Sequence, residues 1–184
     1  RGGRSHQLLA VNMRDCDIRI KAISTDELPL ALQAYRHYKN DGPHHEEVMN
    51  GVALPYELVP GKEVWHEEHA LDQDIDTSKY LKLDWDKITG GSEGVGCYFI
   101  QLSGRGKVNH RRVVTQSIVQ ITDIGLAWKF TDKEALVYTY SCASGEALPG
   151  TELRLCGANG KISRRATSGA DGTARFPRSD DDYY

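Results

Sequence analysis

The sequence predicts a mainly β protein: two tandem antiparallel β-sandwich domains of the immunoglobulin-like or fibronectin-like type, with a short helix in the first and an incomplete second domain. The first observation is a series of short apolar or alternating runs, such as residues 96–102 and 113–121, which are typical of strands. The second is that turn-forming residues separate these runs. The third is one segment with helical spacing.

The first domain is predicted to span residues 1–119. The apolar phase shifts between residues 9–11 and residues 16–20, which predicts two strands or one bulged strand. Residues 44–94 are polar and alternate weakly, so they are predicted to form an irregular insertion. The apolar run at 96–102 then predicts a buried strand.

The predicted helix lies near residues 26–39. Apolar side chains recur there every three or four positions, and Pro29 suits the first turn of a helix. Thr25 or Asp26 is the predicted N-cap. The breaker sequence at 40–43, Asn-Asp-Gly-Pro, is expected to end the helix.

The second domain is predicted to span residues 120–184, with turns that connect short strands. Pro149 fixes φ and Gly150 accepts a positive φ, which is typical of a tight turn. Asp171 and Gly172 form a dipeptide that favours a β-hairpin. These four residues are therefore predicted to have structural roles.

The three tryptophans are predicted to fill the cores. Trp128 has the same parity as Leu126 and Phe130, so it should point into the second sandwich. Trp65 and Trp85 flank the predicted insertion, where an exposed aromatic side chain would instead mark a binding surface. Core packing is the interpretation preferred for all three.

Four cysteines are present, at positions 16, 97, 142 and 156. Their even number is compatible with disulfides, but the strand pattern gives little support for pairing them. Free thiols are therefore the preferred interpretation. If a disulfide forms within the second domain, Cys142 and Cys156 are the pair to expect.

Composition excludes several classes of function. The chain has 184 residues and a formal net charge of −3, which provides no attraction to nucleic acid. No apolar run approaches the roughly 20 residues that a membrane-spanning helix needs. The chain starts Arg-Gly-Gly-Arg without methionine or a signal peptide, which predicts an excised fragment or a processed product.

No catalytic residues, cofactor or metal site are predicted. His66 and His69 bracket two glutamates, but they are three residues apart, whereas the helical zinc motif needs a spacing of four. They are the candidates to consider for a metal, together with a second cluster at 44–47, and a metal-dependent hydrolase is the lowest-ranked hypothesis. A solvated polar loop is the preferred interpretation of this segment.

The last third of the chain resembles the N-terminal macroglobulin domains of bacterial alpha-2-macroglobulin-like proteins. Three spaced elements carry the resemblance in order: Ile-Thr-Asp-Ile-Gly-Leu at 121–126, Gly-Glu-Ala-Leu-Pro-Gly at 145–150 and Ala-Asp-Gly-Thr-Ala-Arg-Phe at 170–176. The first two thirds are similar, more loosely, to the domain that precedes it. The resemblance thus implies two macroglobulin-like domains.

The resemblance implies a function for the parent protein. Proteins of this family are periplasmic or cell-surface protease traps, in which cleavage of a bait segment triggers a conformational change and a thioester captures the protease. That thioester forms in a Cys-x-Glu-Gln motif, which this chain does not contain. The chain is therefore expected to be a non-catalytic scaffold whose partners are other macroglobulin domains and, through the full-length protein, proteases.

Two further expectations concern assembly and the competing hypothesis. A complete sandwich of this type needs about seven strands, and few residues remain after Phe176, so an open edge could support a dimer. The alternative function is a tandem immunoglobulin-like module for adhesion or for binding carbohydrate or protein.

Overall fold

The computed structural model describes residues 5–40, 53–91, 94–108, 110–157 and 161–177. The chain is mainly β, and its sheets are antiparallel, as predicted. It divides into two compact units, Gly2–Ile121 and Thr122–Tyr184. The division falls two residues after the domain boundary predicted from the sequence.

The first unit contains six strands and three helical segments in its described part. They are β1 (Ser5–Val11), β2 (Asp15–Ile23), α1 (Leu28–Asn40), a 3-10 turn (Tyr56–Leu58), β3 (Lys62–Ala70), β4 (Ser78–Asp84), α2 (Trp85–Ile88), β5 (Gly96–Arg105) and β6 (Arg112–Ile121). Strands β1 and β4 pair in one sheet, and the other sheet has the order β3-β2-β5-β6.

The main core of this unit lies on the inner face of the four-stranded sheet. Ile18 and Ile20 of β2 are almost fully buried there against Leu81 and Leu83 of β4. Trp85, which starts α2, is buried in the same cluster, as its predicted core role requires. Each fully buried aliphatic side chain contributes about 1.5–3 kcal/mol, so this inner face holds the two sheets together.

A second, smaller core lies on the outer face of the same sheet. Phe99 of β5 is 1% exposed and packs with Tyr56, Val59 and Ala31, so α1 and the 3-10 turn cover this part of the sheet. Both faces of β5 are therefore buried, which explains why its sequence is a continuous apolar run rather than an alternating one.

Gln116 of β6 holds Leu54, just before the 3-10 turn, against the sheet by hydrogen bonds. Its side-chain amide donates to the carbonyl of Leu54 at 2.7 Å and its carbonyl accepts from the Leu54 N–H at 3.0 Å. The same amide donates to Oε1 of Gln101 at 2.7 Å, and the hydroxyl of Tyr35 donates to the Gln116 backbone carbonyl at 2.7 Å. A buried polar group is stable only when it is paired in this way.

Helix α1 confirms the predicted short helix, but its cap differs from the prediction. The N–H of Glu27 donates to Oγ of Ser24 at 3.3 Å, and the N–H of Ser24 donates back to the Glu27 carboxylate at 3.2 Å. This reciprocal pair is a capping box. Ser24 therefore caps the helix, and not Thr25 or Asp26, because only Ser24 has a glutamate three residues later.

The expectation of an irregular insertion at 44–94 is wrong for its described part. Strands β3 and β4, the 3-10 turn and α2 all lie within it. Strand β3 is at the edge of its sheet, and a bulge near Ile20 of β2 interrupts its register. An edge strand that touches the core with few side chains shows little apolar alternation, so its pattern was not recognised. The polar cluster at 44–47 lies outside the described residues.

The second unit contains five strands in its described part. They are β7 (Ile124–Phe130), β8 (Glu134–Ser141), β9 (Glu152–Cys156), β10 (Ile162–Thr167) and β11 (Thr173–Pro177). One sheet has the order β11-β8-β7, and the other consists of β9 and β10. The core between them is formed by Ala135, Leu153, Ala174 and Phe176.

The four predicted turn residues lie in turns of this unit. Gly150 has φ +73° after Pro149, and Gly172 has φ +75°. A Cβ on Gly172 would come within 2.6 Å of the backbone oxygen of Thr139, so glycine is required there. The hairpin interpretation of Asp171 and Gly172 is wrong, because β10 and β11 belong to different sheets and the turn connects the two layers.

Candidate interaction surfaces

The second unit exposes a row of large apolar side chains on β7. Ile124, Leu126, Trp128 and Phe130 are 45%, 48%, 66% and 56% exposed. They alternate along the strand, so they lie on one face of it. Four such neighbours form a contiguous apolar surface, which is unusual on a monomeric protein and typical of a binding surface.

Pairing with β8 shows that this is the inner face of the sheet. Trp128 lies opposite Val137, and Phe130 lies opposite Ala135. Ala135 in turn lies opposite Phe176 of β11, which is 4% exposed and belongs to the core. Residues opposite one another on paired strands share a face, so the exposed row continues the buried core across the sheet.

The β7 side chains are exposed and Phe176 is buried because the sheet that covers this face is narrow. Only β9 and β10 cover the three-stranded sheet in the described residues, and β10 contacts β11 at the side away from β7. Leu153 of β9 reaches the core formed with Phe176. The predicted core position of Trp128 is therefore wrong: its parity is that of an inward residue, but the covering sheet does not extend over it.

This arrangement suits an extended or apolar partner. Strand β7 is at the edge of its sheet in the described part of the chain, and an edge strand offers backbone donors and acceptors to another strand. The apolar row on β7 would supply the burial that such pairing needs. We therefore treat β7 as the candidate interaction surface and call this row the β7 row.

The first unit carries a polar cluster on the outer face of β2 and β3. The Nε2 atom of His66 is 2.8 Å from Oδ1 of Asp17 and 3.8 Å from Oε1 of Glu68. Asp17 and Glu68 lie directly opposite one another on the paired strands. Among the described residues, these three form the set of side chains whose atoms lie within 4.8 Å of one another and could hold a metal.

His69, the other metal candidate from the sequence, is not part of this cluster. His66 and His69 are three residues apart on strand β3, so their side chains project from opposite faces. Nε2 of His69 is instead 3.3 Å from the carboxylate of Glu67. The structure therefore does not bring the two histidines together. The neighbours of His66 are instead the carboxylates of Asp17 and Glu68.

An open cavity of about 520 Å³ adjoins this cluster. Asp15 lines it and is held by Arg105, whose Nη2 is 2.7 Å from Oδ2 of the carboxylate. Partial burial disfavours ionisation of Asp15, but hydrogen bonds from the Arg105 amide and guanidinium outweigh it and lower the pKa of Asp15. Asp15 is therefore a carboxylate that forms a structural ion pair with Arg105.

The four cysteines are unpaired, and their surroundings differ. Cys97 is buried and Cys142 is exposed. Burial raises the pKa of Cys97, and burial together with Asp17 and Asp15 raises the pKa of Cys16. A raised pKa leaves less of the reactive thiolate at neutral pH, so neither of these two residues has the surroundings of an activated nucleophile.

The sequence pointed to His66 as a metal candidate, but it did not predict the β7 row or the two carboxylates beside His66. The alternation of apolar residues in β7 shows which face of the strand points inward. It does not show whether another sheet covers that face. The polar cluster depends on the pairing of Asp17 with Glu68, 51 positions later. Residues 62–70 carry charged or polar side chains on both faces of the strand, so no alternation in the sequence indicates β3.

The fold is that of the macroglobulin-type β-sandwich domains of bacterial alpha-2-macroglobulins, which confirms the resemblance seen in the sequence at the level of the fold. One similar solved structure is native Escherichia coli alpha-2-macroglobulin spanning domains NIE-MG1, with a TM-score of 0.71 and 19% identity over 95% of this chain and 79% of that one. No family model and no curated protein matches the sequence.

Longer structures match in the same way. Salmonella alpha-2-macroglobulin reacted with methylamine has a TM-score of 0.61 and 17% identity over 97% of this chain. Trypsin-activated alpha-2-macroglobulin from E. coli has a TM-score of 0.59 and 18% identity over 95% of it. The chain spans 10% and 11% of those two proteins.

Within the described residues, no helix is long and apolar enough to cross a membrane.

Proposed function

We propose that this chain is a non-catalytic scaffold segment of a bacterial alpha-2-macroglobulin-like protease inhibitor. The observation that carries the proposal is the fold match over 95% of the chain to a two-domain segment of E. coli alpha-2-macroglobulin. The order of domains in that segment, NIE then MG1, suggests that Gly2–Ile121 corresponds to the former and Thr122–Tyr184 to the latter.

In this proposal the immediate partners are other domains of the same longer polypeptide. The β7 row supports this assignment, because an inner face that is exposed in the second unit gains stability when further protein covers it. Proteases are partners of the complete protein rather than of this segment. The resemblance supports a location of the complete protein in the periplasm or at the cell surface.

The trap function can be tested with the protein expressed from the complete gene. Trypsin would be incubated with it, and cleavage of casein and of a small chromogenic peptide would be followed in parallel. A trapped protease keeps its active site but is closed to large substrates, so casein cleavage should fall while peptide cleavage persists. Unchanged casein cleavage would overturn the proposed trap.

The 184-residue chain alone provides the test of the scaffold role. It should leave both activities unchanged at every concentration, because it contains no Cys-x-Glu-Gln motif. Dose-dependent inhibition of casein and peptide cleavage by this chain would instead show that it blocks the active site directly, and the scaffold assignment would be wrong.

A further inference from the structure

We propose that Asp17, His66 and Glu68 form a binding site for a divalent transition-metal ion on the outer face of the first unit. The site does not depend on the protease-trap proposal. It lies on β2 and β3, within one unit, and it uses one of the two histidines that the sequence singled out.

The backbone supplies a rigid frame for the three ligands. Asp17 and Glu68 are directly opposed across the β2–β3 ladder, and His66 is two residues before Glu68 on the same face of β3. Nε2 of His66 is 2.8 Å from Asp17 and 3.8 Å from Glu68. The three donor atoms lie within 4.8 Å of one another, a spacing from which all three could bind one metal ion.

Electrostatics favours a cation at this position. Like charges directly opposite one another on paired strands are destabilising, and Asp17 and Glu68 form such a pair. Arg19, which lies opposite His66 and two residues after Asp17, is held by Glu63 at 2.8 Å and Glu57 at 3.2 Å. An added ion would neutralise the two opposed carboxylates without displacing an arginine.

Arg105, a second arginine near the site, is also held by a carboxylate. Arg105, across the adjoining cavity, is bound to Asp15 through its guanidinium and its backbone N–H. Arg112 also lines that cavity, and its Nη2 is 3.3 Å from Oγ of Ser103. The cavity itself is open, so water can complete the coordination of an ion bound at its margin.

The donor set selects the class of metal. One imidazole and two carboxylates suit zinc, nickel or cobalt, whereas calcium prefers six to eight oxygen ligands. Three protein ligands leave one or more positions for water. Imidazole coordinates only in its neutral form, so binding should weaken on acidification.

The test is titration of tag-free protein with zinc chloride, followed by calorimetry, and with cobalt chloride, followed by visible absorbance. The wild-type chain should bind one ion with its affinity lowered at least tenfold in H66A, D17N and E68Q. The matched control is H69A, which removes a histidine of the same strand from the opposite face and should leave affinity unchanged.

Circular dichroism would establish that each variant is folded before its affinity is compared. Absence of stoichiometric binding to the wild type would overturn the site. Binding that survives H66A but is lost in H69A, or that survives both, would place the ion on other histidines and also overturn it. An unchanged affinity in D17N or E68Q would contradict the three-ligand arrangement.

Discussion

The exposed β7 row predicts that two phenylalanines on one face of one sheet differ strongly in their contribution to stability. Phe130 and Phe176 lie on either side of Ala135, on the strands that flank β8. Phe176 is 4% exposed and Phe130 is 56% exposed. The perturbation is therefore the same substitution, Phe→Ala, at two positions that differ in what covers them.

The magnitudes follow from the burial of each ring. Truncating a buried phenylalanine typically costs about 3–5 kcal/mol, because the lost transfer energy is added to the energy of the cavity. Full burial of a phenylalanine contributes about 1.5–3 kcal/mol, and Phe130 keeps less than half of that. Phe130→Ala should therefore lower the free energy of unfolding by only about 1 kcal/mol.

Hydrogen exchange measured by mass spectrometry can assign these costs to the second unit. A loss of 1.4 kcal/mol raises the equilibrium constant for opening tenfold. Peptides from β8 should therefore exchange roughly fivefold faster in Phe130→Ala and more than a hundredfold faster in Phe176→Ala. If Phe176→Ala unfolds the unit outright, the milder Phe→Leu pair should keep the same order. Equal effects at the two positions would show that something covers Phe130, and would refute the reasoning.

Three further predictions concern single positions. Gly61→Ala should strongly destabilise the first unit, because Gly61 has φ +109° and a Cβ would come within 2.3 Å of a backbone oxygen; chemical denaturation measures this. Gln116→Ala should lower the free energy of unfolding by roughly 2–4 kcal/mol, because it leaves the N–H and carbonyl of Leu54 unpaired, and a near-neutral effect would contradict the network. Native-state alkylation should modify Cys142 first and Cys97 last, and early labelling of Cys97 would show that its strand is exposed.

Much of the fold could be predicted because local signals agreed with burial. Strand β5 is buried on both faces, and its continuous apolar run was recognised as a strand. Helix α1 has helical spacing together with a breaker, and these local features placed it within two residues of its observed start. The Pro149-Gly150 turn needs only residues that are adjacent in sequence.

Other features depend on what packs against a residue, which one chain segment does not reveal. The parity of Trp128 was correct and its burial was wrong, because burial depends on the width of a sheet formed by other strands. Strand β3 lies at an edge and carries charged residues on both faces, so its sequence looks like a polar loop. The contact between Asp17 and His66 exists only through the register of β2 with β3.

The sequence of the gene beyond the codon for Tyr184 tests the central claim most directly. The account predicts that it continues with further β-sandwich domains and a Cys-x-Glu-Gln motif, as expected for a protease trap of which this chain is a scaffold. A stop codon soon after Tyr184, or a continuation into cell-wall anchoring repeats, would contradict it and would favour a tandem immunoglobulin-like binding module.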